Sequence, residues 1–450
     1  MENTSEFDSA SSAAAGVYRQ NAFYYRMDSM FDLDPDEGDP LPSAVPFHAH
    51  EYVHFLHNAS TTAGNAYLVS NLILLRALAA GTNEFGHFLG PGTLKPDQLA
   101  FLNFVGGVIH GQLGATSSKK LGSNTDIQAW ECSAAQIETT ELGTSVHSTF
   151  VADDGTGAKK FERIAIGLSF VTEGVAYEID REMRRLGGVS VDRLDEGTRV
   201  FPYLAYRLLV RNWSKRDLAA RDYIAIGISA LHSNAAGYGL AEICRRLKET
   251  TVPVDEVLDL ARSQWDKVRS NVLDQMRQQQ IDLDPGDVIW SAMGEYMALV
   301  EAGARLRRNR WAPELEFLSE IMTVDGFKKA VGTMLDCLVI QGKPDNAHDM
   351  YWHGPNVVAR TEKKKQRLGA LQSALHFSQL HISADGAIHA TEALPSTKCP
   401  FAGGCGVELW ERFPQECRSR PWMRVLATST KEKGCWYVTG VKALQYASRS

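Results

Sequence analysis

The segment that decides the fold is FHAHEYVHFLHNASTTAGNAYLVSNLILLRALAA, residues 47–80. It contains no proline, and Gly81 supplies a stop signal at its end, so the pattern predicts one long helix. Its most apolar part, 66–80, is interrupted by Asn71 and Arg76 and is short for a membrane span. We therefore interpret that part as the buried continuation of the helix.

The remaining sequence is also mainly helical in pattern. A second helix is predicted over 96–114, with its proline at the first helical position, where a missing N–H is tolerated. Apolar periodicity predicts another helix over 161–186, more helices over 201–247 and a further helical layer over 252–380. The alternating residues 143–152 predict a strand. The predicted fold class is mainly α (α+β).

Composition and charge argue against several classes of partner. The 450-residue chain has a net charge of −7, which gives no electrostatic reason to expect binding to nucleic acid or to an anionic membrane. Its start, MENTSEFDSASSAAAG, lacks the basic residues and apolar run of a signal peptide. An odd count of seven cysteines suits reduced thiols better than a disulfide framework. We expect a cytoplasmic protein, and the sequence leaves its oligomeric state open.

Two histidines of the first helix carry the chemistry. His50 and His54 are four residues apart, so their imidazoles project from one face about one turn apart. Two neutral imidazoles at that separation can hold one zinc ion. Glu51, next to the first histidine, can act as the general base toward an activated water. This H-E-x-x-H pattern predicts a metal-dependent hydrolase.

A third ligand is predicted in a later helix, within FVTEGVAYE, residues 170–178. Glu173 lies in an apolar stretch, where a carboxylate is costly to bury unless a metal or a counter-charge compensates it. Gly174 lowers helix propensity by about 1 kcal/mol relative to alanine. We expect that another element or the metal site approaches closely at Gly174.

The two segments together resemble the gluzincin branch of the zincin metallopeptidases, in which a later helix bearing Glu-Gly-x-Ala supplies the third ligand. The resemblance covers about 46–58 and 169–180. It implies a zinc metallopeptidase with His50, His54 and Glu173 as zinc ligands, Glu51 as general base and a peptide or protein as substrate. The metzincin extension requires histidine at position 60, where this chain has serine. A regulated protease with a narrow protein substrate is our hypothesis for its role.

Four parts of the chain are expected. Residues 1–45 are predicted to be a flexible, acidic and proline-rich segment, in which the acidic stretch before the motif could cover the cleft. Residues 46–250 would form a zincin-like catalytic domain, 251–381 a further helical domain and 382–450 a small mixed domain that contains cysteines.

Zincins usually add a Tyr or His that donates a hydrogen bond to the developing oxyanion. The candidates downstream of the third ligand are Tyr177, Tyr203, Tyr206, His232 and Tyr238. Among these we favour His232 and Tyr206, because a donor from a following helix is what the resemblance implies.

Other charged residues near the motif have simpler interpretations. His57 shares the face of His50 and is predicted to be a helix-surface histidine rather than a ligand or a group that orients one. Glu178 is expected to pair with Arg181 or Arg185, or to orient a metal ligand. The basic run Arg305, Arg307, Arg308 and Arg310 is predicted to be a solvated helix end.

The tail allows a second metal site. Cys399, Cys405, Cys417 and Cys435 could close a structural zinc site, although their spacings lack the two-residue knuckles of zinc fingers. Free thiols are the favoured interpretation.

Two alternatives to a peptidase remain open. The pairs Glu51/His54 and Glu84/His87, with Glu173 and Glu178, have the composition of a ferritin-like di-iron carboxylate site, as in an oxygenase. Against this alternative, Glu84 and His87 lie in loop-like sequence. The other alternative is a binding protein that keeps a zincin scaffold and has lost turnover.

Overall fold

The computed structural model describes residues 16–118, 121, 129–153, 158–281, 287–344, 347–355, 361–384, 386–405, 411–427 and 434–445. These residues are mainly helical, as predicted, with two small sheets. The strands are β1 (Gly16–Tyr18), β2 (Tyr24–Met27), β3 (Ala129–Cys132), β4 (Gln136–Thr140), β5 (Gly143–Asp153), β6 (Lys159–Ala165), β7 (Cys337–Gly342) and β8 (His348–His353).

Thirteen helices longer than one turn are numbered here in chain order across the described residues. They are α1 (Ala44–Ser60), α2 (Thr62–Ala79), α3 (Pro96–Leu113), α4 (Leu168–Leu186), α5 (Ala205–Ser214), α6 (Ala220–Leu231), α7 (Ala236–Glu249), α8 (Val254–Ile281), α9 (Val288–Asn309), α10 (Val324–Val331), α11 (Glu362–Gln379), α12 (Pro414–Ser419) and α13 (Trp436–Ala443). A π-helical turn, Val200–Leu204, precedes α5, and a short 3-10 helix, Pro313–Leu318, follows α9. Within the described ranges, none of the helices combines the length and the apolar character that crossing a bilayer demands.

The predicted 47–80 helix is in fact two helices, α1 and α2, divided at Thr61. Thr61 is extended, with φ −100° and ψ 157°. Its hydroxyl donates to the His57 carbonyl at 2.6 Å and accepts from the backbone N–H of Gly64 at 3.3 Å, so it caps the second helix. All residues of α1 except Phe47 are buried, so this helix lies in the core.

The first sheet joins two strands near residue 20 to two strands near residue 345. Its order is β1-β2-β7-β8, with β2 parallel to β7 and the other two pairs antiparallel. The layer predicted to be helical over 252–380 contains two strands, β7 and β8, so that prediction is wrong. Of the segment 1–45, predicted to be flexible, residues 16–45 contain β1, β2 and the start of α1, and residues 1–15 lie outside the described residues. The acidic stretch 32–42 is held at this sheet, where Asp32 pairs with Lys343.

The second sheet comes between α3 and α4 along the chain, and its strands pack against α3, α5 and α7. Its path is β3-β5-β4, and β6 pairs with β5 on the other side. The strand predicted over 143–152 is confirmed as β5. The helix predicted to begin at residue 161 begins at Leu168 instead, because the residues up to Ala165 belong to strand β6. The side chains of a strand point alternately to the two faces of its sheet. In β6, Ile164 is buried while Phe161 is 56% exposed.

Buried residues from Ala22 to Leu444 form one contiguous hydrophobic core among the described residues. Helix α1 packs against α4 and α9. Helix α11 packs against α2 and α13. The helices on either side of positions 250 and 382 therefore contribute to the same core. The tail 382–450 was predicted to be a small mixed domain, but its described residues form short helices, with only an isolated bridge between Ile382 and Ile388.

Candidate metal centre

The structure brings the three predicted ligands together. His50 and His54 project from α1, and their Nε2 atoms are 3.1 Å apart. Glu173 reaches them from α4, with Oε2 at 3.6 Å from His50 Nε2 and 3.4 Å from His54 Nε2. Among the described residues, this is the one group of three or more potential ligands whose atoms lie within 4.8 Å of one another.

These distances fit a metal ion of the size of zinc. Zinc–ligand bonds of about 2.0–2.2 Å in a tetrahedron separate the ligand atoms by about 3.3–3.6 Å. The two separations to Glu173, 3.4 and 3.6 Å, fall within this range, and the 3.1 Å between the imidazole nitrogens is slightly shorter, so the three atoms approximate one face of such a tetrahedron. The histidine side chains are 11% and 4% exposed, and that of Glu173 is 30% exposed. Access to the site is consequently from the side of Glu173.

The position of Glu173 depends on close packing at the next residue. A Cβ at Gly174 would lie 2.1 Å from Cγ of Tyr206, so only glycine allows the ring to pack against α4 there. The expectation that another element approaches Gly174 is confirmed. The same ring fills the space beside Gly227 of α6, and it thereby joins α4, α5 and α6.

The electrostatics of Glu173 keep it ionised. Burial raises the pKa of this carboxyl, but the charges and hydrogen bonds of His54 and His50 outweigh burial and hold the pKa well below its usual range. Glu173 thus presents a carboxylate to the two imidazoles, as a metal ligand must. The His54 ring stacks on Tyr18, with centroids 6.0 Å apart and planes at 11°.

Glu51 lies beside the ligand cluster and is 8% exposed. Burial raises the pKa of its carboxyl to about 7, with His50 acting in the opposite direction and Glu173 adding to the increase. A hydrogen bond from the backbone N–H of Tyr18 lowers the pKa in part. A carboxyl group with a pKa near neutrality can both accept and return a proton, which is the role predicted for a general base.

Among the five candidate donors of the sequence, Tyr203, in the π-helical turn before α5, contacts a member of the cluster. Its ring makes an edge contact with His50, with centroids 6.1 Å apart. The negative charge of Glu173 is the largest cause that raises the pKa of its hydroxyl, followed by burial and the charge of Glu51. Tyr203 therefore stays protonated and lies close to both carboxylates. It was one of five candidates in the sequence, and nothing in its spacing distinguished it.

The two favoured oxyanion donors make their contacts elsewhere. The Tyr206 hydroxyl donates to the Tyr223 carbonyl at 2.8 Å, and the residue is completely buried. His232 ends α6 and packs between Trp265 and Trp311, with ring centroids 5.1 and 4.2 Å away. Neither set of contacts includes a member of the metal cluster, so the prediction gains no support from them.

His57 forms a buried charge network rather than a helix surface. Its Nε2 lies 3.1 Å from Oε1 of Glu314, and Arg307 binds the same carboxylate through both terminal nitrogens. All three side chains have no exposed surface. Arg307 also donates to Ser60 Oγ at 3.0 Å, so the network ties α1 to α9 and to the 3-10 helix after it. The prediction of a solvated helix end is wrong for Arg307.

The ligand set of the di-iron alternative is not assembled. Glu178 is buried in a two-pronged ion pair with Arg207, not with the predicted Arg181 or Arg185. His87 Nε2 lies 3.2 Å from the Trp422 carbonyl, and Glu84 is exposed. None of these three joins the metal cluster in the described part of the chain.

Two of the four tail cysteines contact Arg424, whose Nη1 is 3.1 Å from Sγ of Cys435 and 3.6 Å from Sγ of Cys417. Burial raises the pKa of the Cys399 and Cys405 thiols, and neighbouring cysteines add to the increase. The four residues form no disulfide and no compact metal-ligand group among the described residues. A guanidinium group against the sulfur atoms favours free thiols over a structural zinc site.

No protein-family model, curated protein or solved structure matches this chain. The geometry of the metal cluster is therefore the basis for a functional proposal.

Proposed function

We propose that the protein is a zinc-dependent metallopeptidase whose metal is held by His50, His54 and Glu173. The observation that carries the proposal is the triangle of 3.1, 3.4 and 3.6 Å between two imidazole nitrogens and one carboxylate oxygen. Two helices far apart in sequence supply these atoms, and only a small increase in the distance between the two imidazole nitrogens is needed to reach zinc-ligand spacing.

When bound, zinc would act as a Lewis acid that activates water and polarises the scissile carbonyl. Glu51 lies next to His50 on α1 and takes the proton of the attacking water, which it later gives to the leaving amine. Its neighbours keep it close to the metal ligands and away from bulk solvent.

Tyr203 supplies the hydrogen bond to the developing oxyanion in this proposal. Its protonated hydroxyl lies in the field of both Glu173 and Glu51, and its ring touches His50. The ring of Tyr177 packs against the ring of Tyr203, with centroids 5.0 Å apart, and limits the rotation of the Tyr203 side chain. A donor that is fixed before the reaction stabilises the transition state without a cost of reorganisation.

The substrate in this proposal is a peptide segment that enters from the side of Glu173. The buried histidines and Glu51 leave little room for the surface of a folded protein. A narrow substrate range, such as one extended segment of a partner protein, follows from this restricted access.

The test combines metal analysis with a single substitution. The purified protein should contain about one zinc per chain and cleave members of a diverse peptide library. Glu51→Gln should retain zinc and lose cleavage, because it removes the base and spares the ligands. Glu249→Gln, at a surface ion pair with Arg245, is the matched control and should behave as wild type.

Two results would favour the alternatives. Two irons per chain would support the di-iron oxygenase. A zinc protein in which wild type and Glu51→Gln are equally inert on the whole library would support a binding protein with a zincin-like scaffold.

A further inference from the structure

The first strand of the protein lies directly over the proposed general base. Strand β1 is held at the edge of the first sheet by antiparallel pairing with β2, in the register Gly16↔Met27 and Tyr18↔Tyr25. It packs against α1, where the Tyr18 ring stacks on His54. The strand therefore contacts both a metal ligand and the surroundings of Glu51.

Gly16 leaves the space that the Glu51 side chain occupies. A Cβ at this position would lie 2.7 Å from Glu51 Cγ and 2.9 Å from Glu51 Oε1. It would also lie 2.8 Å from Sδ of Met27. All three atoms belong to side chains, so a methyl group here would displace the side chains of Glu51 and Met27.

The strand also offers Glu51 a hydrogen bond. The backbone N–H of Tyr18 donates to its carboxylate. Since Tyr18 is paired with Tyr25 in the sheet, the position of this donor is set by the strands and not by a mobile loop. Gly16 thus confines the Glu51 side chain on one side, and the backbone N–H of Tyr18 binds its carboxylate.

We propose that β1 is a positioning element, in which Gly16 and the Tyr18 N–H hold the Glu51 side chain in the orientation required for proton transfer. Neither residue is catalytic, because each acts through Glu51. The inference rests on the proposed peptidase function for its catalytic consequence, but the steric coupling between residues 16 and 51 is a property of the chain alone.

The first experiment measures that coupling in metal-free protein by thermal unfolding. Gly16→Ala should lower Tm by about 2 °C, the scale of a mild overpacking defect. In a Glu51→Asp background, where the side chain is one methylene shorter, Gly16→Ala should lower Tm by clearly less than it does in wild type. Gly111→Ala, where a Cβ meets no atom within 4 Å, is the matched control and should not lower Tm. Equal losses in both backgrounds would overturn the proposal.

The second experiment measures kcat with zinc bound. Gly16→Ala should keep one zinc per chain and reduce kcat by about 100-fold, because a misplacement of roughly 1 Å can cost that much. In the Glu51→Asp background, Gly16→Ala should reduce kcat by less than about 3-fold. An unchanged or increased kcat would show that β1 does not position the base. An inactive wild type would instead refute the peptidase proposal, and the coupling in Tm would still be measurable.

Discussion

At the residue scale, the hydroxyl of Tyr203 is the feature most directly open to test. Tyr203→Phe should lower kcat by about 10²–10³-fold, the typical effect of removing one oxyanion donor, with little change in KM. Steady-state kinetics on a cleaved peptide would measure both constants. Tyr206→Phe should cost only the buried hydrogen bond to Tyr223 and leave kcat nearly unchanged. A larger loss of kcat in Tyr206→Phe than in Tyr203→Phe would restore the original prediction for Tyr206.

The ligands were more predictable from the sequence than the donor. The spacing of His50 and His54 depends on helix geometry alone, and a carboxylate in an apolar helix needs a partner wherever that helix lies. Gly174 indicated a close approach, and the approaching group is the ring of Tyr206. The choice among five aromatic and imidazole candidates depends on how the turn Val200–Leu204 meets α1. No local pattern carries that information.

At the element scale, the network of His57, Arg307 and Glu314 joins α1 to α9. Glu314→Ala should destabilise the protein by about 3–5 kcal/mol, because it leaves the Arg307 charge buried without its partner. Urea unfolding would measure the loss. Glu301→Ala removes a carboxylate that is 43% exposed and pairs with Arg277, and should cost at most about 1 kcal/mol. Similar losses in the two variants would mean that the buried network does not stabilise the packing of α1.

The proposed metal would link a second pair of elements, α1 and α4. Zinc should raise Tm, because it binds the folded chain, whereas its ligands are far apart in the unfolded chain. At a free zinc concentration of 1,000 times Kd, the free energy of unfolding should increase by about 4 kcal/mol. Chelation should reverse the increase, which differential scanning calorimetry would detect. Glu173→Ala removes one of three ligands and should shrink the shift. A shift of full size in Glu173→Ala would exclude Glu173 as a ligand.

Helix content followed from apolar periodicity, but element boundaries did not. The break at Thr61 results from its side chain capping the next helix within an otherwise continuous apolar pattern. Strand β6 was assigned to a helix because its apolar residues run directly into those of α4. Arg307 was assigned to solvent because neighbouring arginines suggested a basic surface, while its partner Glu314 lies beyond the end of the helix.

At the scale of the whole molecule, the first sheet was the feature least accessible from sequence. Strand β2 pairs with β7, so that Tyr24 lies opposite Leu338. Short strands separated by most of the chain leave no local signal of their pairing, and the acidic and proline-rich residues between β2 and α1 pointed to disorder. The consequence reaches the site, because pairing within this sheet helps to hold β1 over Glu51.

Acid sensitivity is a property of the whole molecule because its buried histidines come from distant elements. Burial lowers the pKa of His381, after α11, from 6.5 to about 4, and lowers that of His232, at the end of α6, well below its usual value. Between pH 6.5 and about 4 the unfolded chain therefore binds protons that the folded chain does not, and stability falls as the pH falls. The His381 shift alone corresponds to about 3 kcal/mol.

Thermal unfolding of metal-free protein from pH 7.5 to 4.5 would measure this loss. Tm should decrease steadily below pH 6.5, and the decrease should be smaller in His381→Gln, which cannot take up the proton in the unfolded state. His381 Nε2 lies 3.0 Å from Thr391 Oγ1, so this variant has a lower Tm at neutral pH and is compared by its slope. Parallel Tm curves for the two proteins would mean that His381 is protonated equally in both states, and the acid sensitivity would then arise from other groups.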